Sequence, residues 1–269
     1  MPATGGSAAI DRGEIRTLTP EPRPSAALDF ILQVERIYAA LIGFAGIAEA
    51  GQPGLGGKLL YAGELDPYGR ALLVAGNIAG AASLAATADL AAQKQAIRDG
   101  VADFLVNSLD EALRILKNEI RKRETVAVCI AGAPVAIERE MAERGVAPDL
   151  LPRNQLPPAA DGEALVAWSV ATAPAQWLPK LDGLAIDSLR ATEGDKAAAA
   201  RRWLRLAPRY LGRLAQGQHI LRCEVDVAKE FVSRVRGAVD RGEFGVEVRI
   251  SLNRDEEVFL FQPTEGLTC

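Results

Sequence analysis

The sequence has few of the residues that build metal centres and nucleophilic active sites. Its single histidine is His219, and its three cysteines, Cys129, Cys223 and Cys269, are far apart in the chain and form no CxxC pair. A zinc site would have to gather ligands from distant segments, so we expect no bound metal. Nucleophilic catalysis of the Ser–His or Cys–His kind would depend on His219 alone.

Long apolar runs are also absent. The alanine-rich stretch 72–92 is interrupted by Asn77, Thr87 and Asp89, so it falls short of the roughly 18 apolar residues of a membrane span. Residues 1–16 contain no apolar core of signal-peptide length. An odd number of cysteines without such a signal fits a reducing compartment. We therefore expect a cytoplasmic protein with no membrane partner.

The charge balance argues against a nucleic-acid-coating protein. Lys and Arg number 31 against 35 Asp and Glu, which gives a net charge of −4 and a pI of about 5.3. Such proteins are usually basic, so we expect no nucleic-acid partner. The 269 residues are 49% hydrophobic and 25% charged, which is ordinary globular composition. A protein or a small molecule remains as the expected partner, and a homo-oligomer stays open.

Three regions differ in composition. Residues 1–26 are rich in Gly, Pro, Ser and Thr and are predicted to be a flexible arm. Residues 27–224 are predicted to be the main domain, opening with a helix over 27–50 whose apolar residues have helical spacing. Residues 225–269 are predicted to be an appendage made of one helix and a hairpin.

Short apolar strands alternate with helices in the main domain. Strands are predicted at 58–63, 83–88, 126–130, 164–171 and 184–186, and helices at 71–81, 91–99, 109–122, 135–144 and 196–214. This alternation indicates βαβ units, and strands without period-two polarity are typical of sheets buried on both faces. We therefore predict an α/β fold with a parallel sheet over about residues 57 to 224. The C-terminal helix is predicted at 225–239 and the hairpin strands at 245–252 and 257–262.

The first strand ends in a turn that could face a phosphate. The turn keeps Gly63 and Gly69, and Arg70 could contact a diphosphate. Glu64 and Asp66 oppose that use, because their charge has the sign of the ligand's. A nucleotide loop and a plain strand-to-helix connection are both open for this turn, and the second is favoured.

Two later turns also have two interpretations. Asp89 follows the second strand at the position of a ribose-binding acid, or it caps the helix that starts there. Gly132 follows the third predicted strand and could face a ligand, or it could simply precede a helix that begins at Pro134. The candidate crevice residues are therefore Gly63, Gly69, Arg70, Asp89 and Gly132.

Four arginines recur every four residues, at Arg201, Arg205, Arg209 and Arg213. On a helix they would form one positive stripe. The stripe could bind an acidic partner or a phosphate backbone, but a solvated helix face is favoured because the chain is acidic overall.

The order of several motifs resembles one known family. The motifs, in chain order, are GKLLYAG at 57–63, AGAASL at 79–84, NSLDEAL at 107–113, IAGA at 130–133 and RGVAPD at 144–149. Together they resemble the central Rossmann-like domain of urocanase (urocanate hydratase). The resemblance implies a parallel Rossmann-like sheet flanked by helices. In that family the domain holds NAD as an electrophile for the hydration of urocanate.

The sequence differs from the family's pattern at the segments that serve NAD binding and catalysis in that family. The family's GLGGMGGAQ loop corresponds to residues 64–71, where only Gly69 is retained, and its GNAA asparagine corresponds to Ala133. The family's TDQTSAH and DYGNNIRQ segments are replaced at 152–158 and 222–225. Its remaining catalytic segments are not expected in a chain of this length. The resemblance therefore implies the fold without the urocanase reaction, and no cofactor is expected because NAD would bind weakly.

Two functions remain open. The first is a binding or scaffolding protein that lacks urocanate hydratase activity. The alternative is an enzyme or sensor that binds a nucleotide or small polar ligand in the crevice, and whether the protein is an enzyme stays undecided. A crevice filled by side chains would favour the first, and an open polar crevice the second.

Overall fold

The computed structural model describes residues 26–45, 54–151, 162–190, 192, 194–253 and 256–263. The predicted arm at 1–26 lies outside these ranges except for Ala26. The last part of the first predicted helix, 46–50, also lies outside them.

The described chain contains helices and strands with the following bounds. The helices are α1 (Ala26–Ala45), α2 (Pro67–Ala79), α3 (Leu90–Arg98), α4 (Leu109–Lys122), α5 (Pro134–Glu143), α6 (Pro174–Ser188), α7 (Asp195–Leu211) and α8 (Val225–Asp240). The strands are β1 (Leu59–Glu64), β2 (Ala82–Thr87), β3 (Phe104–Val106), β4 (Val126–Ala131), β5 (Glu163–Val170), β6 (Gln218–Glu224), β7 (Val248–Leu252) and β8 (Glu257–Phe261). A short 3₁₀ helix, Gly212–Gln216, follows α7.

The first sheet is parallel and has the strand order β1-β2-β4-β3. Helices α2 and α3 cover one face, and α4 and α5 cover the other. The central strands β2 and β4 are buried almost throughout because both faces are covered. The predicted parallel α/β core is thus confirmed for this part of the chain.

Helix α2 is buried along most of its length, which explains its small residues. Helices α1 and α7 pack on it from outside while β1 and β2 lie beneath it. A Cβ atom on Gly76 would come within 2.7 Å of the Leu60 side chain. The helix ends at Gly80, whose φ of 93° is the left-handed conformation that terminates helices.

The second sheet is antiparallel and has the order β6-β5-β7-β8. The prediction that the parallel sheet extends to residue 224 is therefore wrong beyond β4. Strand β5 is buried on both sides because helices pack on each face of this sheet as well. Burial on both faces does not distinguish a parallel strand from a covered antiparallel one.

Three elements between residues 100 and 211 also differ from the sequence predictions. The strand predicted at 184–186 lies inside α6, where a three-residue apolar run is part of a helical pattern. The region before β6 contains two long helices, α6 and α7, where one was expected. Strand β3 was not predicted, because three residues give no measurable periodicity.

The C-terminal helix and hairpin form as predicted, as α8, β7 and β8. The hairpin joins the second sheet through pairing of β7 with β5. The predicted division at residue 224 stays a prediction, although β5 pairs with strands on both sides of it.

Helix α7 shields the outer side of β6. The Trp203 indole Nε1 donates to the carbonyl oxygen of Ile220 at 2.7 Å, which satisfies a backbone acceptor of this edge strand. On α1, the buried Glu35 carboxylate accepts a bidentate pair of hydrogen bonds from the Arg222 guanidinium on β6. Both contacts hold the helical layer to the second sheet.

Candidate functional site

A crevice is expected where the helices that follow two neighbouring strands leave on opposite faces of the sheet. Strands β2 and β4 are such neighbours, since α3 covers one face and α5 the other. The backbone N–H of Gly132, after β4, donates to the carbonyl of Thr87, at the end of β2, at 3.1 Å. The two turns are therefore joined across the point where the crevice would open.

The turn after β1 needs both of its predicted glycines. Gly63 has a φ of 75°, and the pairing of β1 with β2 shifts register between Tyr61 and Gly63. A Cβ atom on Gly69 would lie 1.9 Å from the carbonyl oxygen of Glu64. Gly69 therefore allows the first turn of α2 to approach the end of β1 closely, which is a packing role.

The amino terminus of α2 is capped by the chain itself. The Asp66 carboxylate accepts a hydrogen bond from the backbone N–H of Gly69 at 2.7 Å. Glu64, two residues before Asp66, is exposed, and its carboxylate accepts a hydrogen bond from the N–H of Leu65 at 3.2 Å. A helix amino terminus favours an anion, and here Asp66 supplies that anion.

Arg70 does not complete a phosphate site. Its guanidinium donates to the Asp99 carboxylate at 2.6 Å, at the far end of α3. Burial disfavours the Asp99 anion, but hydrogen bonds from Gln95 and Arg70 outweigh it and lower the pKa of this carboxyl. Arg70 thus joins two helices, α2 and α3.

Asp89 caps the amino terminus of α3, which is one of the two roles considered for it. Its carboxylate accepts from the N–H of Ala91 at 2.8 Å, at the start of α3. Beneath it the buried Gln93 side chain donates to the carbonyl of Thr87 at 2.8 Å. Sequence reasoning missed Gln93, because nothing in the pattern of a polar helix marks one glutamine as buried.

The turn after β4 is also a helix start. Pro134 is the first residue of α5, and no side chain caps that helix. A Cβ atom on Gly132 would make only ordinary contacts at 3.6 Å or more. Gly132 follows the carboxyl end of β4, and neither its contacts nor its φ require glycine.

Four segments leave the carboxyl ends of the parallel strands (64–69, 87–91, 107–111 and 131–136). The first three contain acidic residues, and none of the four contains a basic one. We call their surface the carboxyl-end face. Its acidic side chains, all exposed, are Glu64, Asp66, Asp89, Asp110 and Glu111. Two large apolar side chains, Leu90 and Val135, are 67% and 76% exposed on the same face. This face is thus negative with an apolar centre.

The Arg stripe divides into two parts. Arg201 donates to the carbonyls of Leu189 and Thr192, and this contact holds the turn between α6 and α7. The other three residues, Arg205, Arg209 and Arg213, are exposed and form no ion pair among the described residues. We call these three the basic stripe.

His219 lies in a polar cluster within the second sheet. Its Nδ1 is 2.8 Å from the Asp182 carboxylate, which also accepts from Trp168 Nε1 at 3.1 Å. Asp182 was not predicted, because it is distant in sequence and lies on a helix that was not expected. Cys223 is on the same strand as His219 but has no part in the cluster.

Two matched motifs meet at the start of β1. The Asp149 carboxylate accepts from the backbone N–H of Leu59 at 2.8 Å and from Lys58 at 3.2 Å. Leu150 forms an isolated parallel bridge with Leu60. The lysine of GKLLYAG and the aspartate of RGVAPD therefore form one structural contact.

Among the residues that the structure describes, no group of three or more His, Cys, Asp or Glu side chains could hold a metal ion. None of the described helices is long and apolar enough to cross a membrane.

A comparison with known families agrees with the parallel sheet. Residues 42–155 match the family model of the urocanase Rossmann-like domain. The matched range contains β1 to β4, α2 to α5 and all four segments of the carboxyl-end face. Residues 42–155, less than half of the chain, are therefore similar to the Rossmann-like domain of the urocanase family, consistent with a partial relative of that family.

Proposed function

We propose that this urocanase relative lacks urocanate hydratase activity and serves as a binding or scaffolding protein. The observation that carries the proposal is the charge of the carboxyl-end face, where the four segments contribute five acidic side chains and no basic one, and where Asp110 alone of the five pairs with a described basic residue, Arg144. The reaction of the family relies on NAD, so a face that repels the cofactor's diphosphate would abolish it.

The residues at the first turn do not fit NAD. The Asp66 carboxylate already bonds the Gly69 N–H that a phosphate would use, and Pro67 contributes no N–H. Arg70, which could offset the charge, is paired with Asp99. Each like charge within a few ångströms costs on the order of 1 kcal/mol at a partly solvated site.

Calorimetric titration with NAD at low salt tests the cofactor part of the proposal. We expect a dissociation constant of about a millimolar or weaker, equivalent to roughly −4 kcal/mol. Asp66→Asn keeps a side-chain oxygen for the cap and removes the charge, so it should bind NAD several-fold more tightly than the wild type. Asp226→Asn removes one charge from the first turn of α8 and should leave NAD binding unchanged.

The activity is tested by following the absorbance of urocanate with added NAD. No turnover above an enzyme-free control is expected, and turnover would overturn the proposal. Micromolar NAD binding without turnover would favour the alternative function, an enzyme or sensor that uses the crevice for a nucleotide or small polar ligand.

A further inference from the structure

Two exposed surfaces of opposite charge lie on the described part of the chain, and helix α2 touches the elements that carry both. The carboxyl-end face surrounds the amino terminus of α2, where Asp66 caps the helix. At the other end, Arg202 of α7 donates to the carbonyl of Ile78, in the last turn of α2, at 2.7 Å. The 13 residues of α2 separate the two ends by about 20 Å.

The basic stripe starts one turn beyond this anchor. Arg205 follows Arg202 by three residues, Arg209 lies in the last turn of α7, and Arg213 lies in the 3₁₀ helix that follows. The Arg209 guanidinium lies 5.4 Å from the ring of Tyr210, and Leu214 beside the stripe is 40% exposed. The stripe is therefore positive with apolar groups at its side.

The two surfaces have complementary chemistry, and no ion pair joins them within the described part of the molecule. Exposed acids around Leu90 and Val135 on one surface match exposed arginines beside Leu214 on the other. The charges of each surface have no partner of opposite sign on that same surface, Asp110 excepted, which pairs with Arg144.

We propose that the basic stripe of one copy docks on the carboxyl-end face of a second copy. This assignment rests on the proposed binding role and names its partner. Because the two docking surfaces differ, the contact either repeats head-to-tail in rings or open chains or is made twice, reciprocally, in a two-fold dimer.

Ionic strength separates this contact from the general repulsion between acidic molecules. At about 0.1 M salt the Debye length is about 10 Å, so the net charges are largely screened while surfaces in contact still attract. At about 1 M salt the length falls to about 3 Å and the ion pairs weaken. Self-association should therefore be present at the lower salt concentration and decrease at the higher one.

Analytical ultracentrifugation of the full chain over a concentration series tests the proposal. The wild type should show an average mass that rises beyond that of a monomer. R205E/R209E/R213E should weaken this association by about tenfold or more, since three favourable pairs become repulsive. The control R190E/K229E/R241E makes the same charge change at exposed sites elsewhere and should associate as the wild type does.

A mixture of two variants, each altered on a different surface, tests the contact even if one variant alone fails to associate for another reason. E64K/L90K/V135K places lysines at three exposed positions of the other surface, which removes most of its negative charge and its exposed apolar side chains, and it should also be monomeric. Mixing it with R205E/R209E/R213E should restore association, because each mixture retains one native pair of surfaces. Circular dichroism confirms that each variant is folded.

A wild type that stays monomeric, a control that dissociates equally, or a mixture without added mass would each overturn self-docking. These outcomes leave the NAD and urocanate results untouched, so failure of this inference is distinguishable from failure of the proposed function.

Discussion

At the scale of single residues, Asp149 links the stability of the parallel sheet to pH. Burial disfavours its anion, but bonds from the Leu59 N–H and Lys58 outweigh this and hold the pKa of Asp149 below its usual value. A carboxylate with a lowered pKa in the folded state stabilises above its unfolded pKa, near 4. That contribution is lost as the pH falls through the folded-state pKa.

Asp149→Asn should therefore lower the free energy of unfolding at pH 7 by about 1 kcal/mol or less, since the side chain is 40% exposed. The difference from the wild type should shrink toward pH 3. Urea unfolding at both pH values measures it. The control is Asp226→Asn, whose wild-type side chain is 96% exposed. If Asp149→Asn lowered the free energy of unfolding equally at both pH values, the prediction would be contradicted.

The two described cysteines should be unreactive while the protein is folded. Burial, with a smaller effect of Glu64, raises the pKa of Cys129 to about 11, and burial with Glu163 and Glu224 raises that of Cys223 to about 12. The thiolate is the reactive species, and it is scarce at pH 8 for both.

In a Cys269→Ser background, a thiol reagent such as DTNB should give no fast reaction with folded protein and two equivalents after unfolding in urea. Rapid labelling of either cysteine without urea would show that the burial is transient.

The residue roles that could be predicted from the sequence are local ones. Asp89 was identified as a possible helix cap, and it accepts from a backbone N–H group in the first turn of α3. The cap made by Asp66 was missed, because only its charge was considered. The Asp182–His219 pair could not be predicted, since its two members come together only after α6 packs on the second sheet.

At the scale of elements, the packing of α2 against β1 depends on Gly69. Gly69→Ala would bring a Cβ within 1.9 Å of the Glu64 carbonyl oxygen, so the helix must move. Both groups are backbone or directly attached to it, and neither can rotate away. The free energy of unfolding should fall by roughly 2 kcal/mol or more.

Gly183→Ala is the matched control in α6, where nothing lies within 4 Å of the added Cβ. It should be neutral or stabilise by up to about 1 kcal/mol, because alanine restricts the unfolded chain. Thermal and urea unfolding compare the two variants. Equal effects would mean that α2 tolerates displacement.

The element types were predictable to the extent that periodicity specified them. Strands β1, β2 and β4 and their helices carry clear apolar runs and glycine ends, and the ordered motifs supported them. The direction of β5 was not predictable, because direction depends on which strand pairs with it and not on its own side chains. Its partners β6 and β7 lie far along the chain.

At the scale of the whole molecule, one apolar core joins both sheets. The cluster includes residues of α1, α2 and α7 together with β5, β6 and β7. The buried Glu35–Arg222 pair crosses the same boundary. If the part with one sheet unfolded alone, apolar surface of the part with the other sheet would be exposed to water. Unfolding should therefore be a single cooperative transition.

Two probes can test this cooperativity. All three tryptophans, Trp168, Trp177 and Trp203, lie between β5 and the end of α7, so their fluorescence reports the second half. Far-ultraviolet circular dichroism reports the whole chain. The two urea curves should coincide, and a separate earlier fluorescence transition would indicate that the halves unfold independently.

The central position of β5 has a consequence for how the protein is made. The parallel strands β1 to β4 complete their pairings before β5 is synthesised. β5, however, must wait for Gln218–Glu224 on one side and Val248–Leu252 on the other. On the ribosome the first sheet can form early, while β5 remains an unpaired apolar segment until nearly the whole chain has emerged. Mutations that delay β7 should therefore reduce the yield of soluble protein more than equally destabilising mutations in β2.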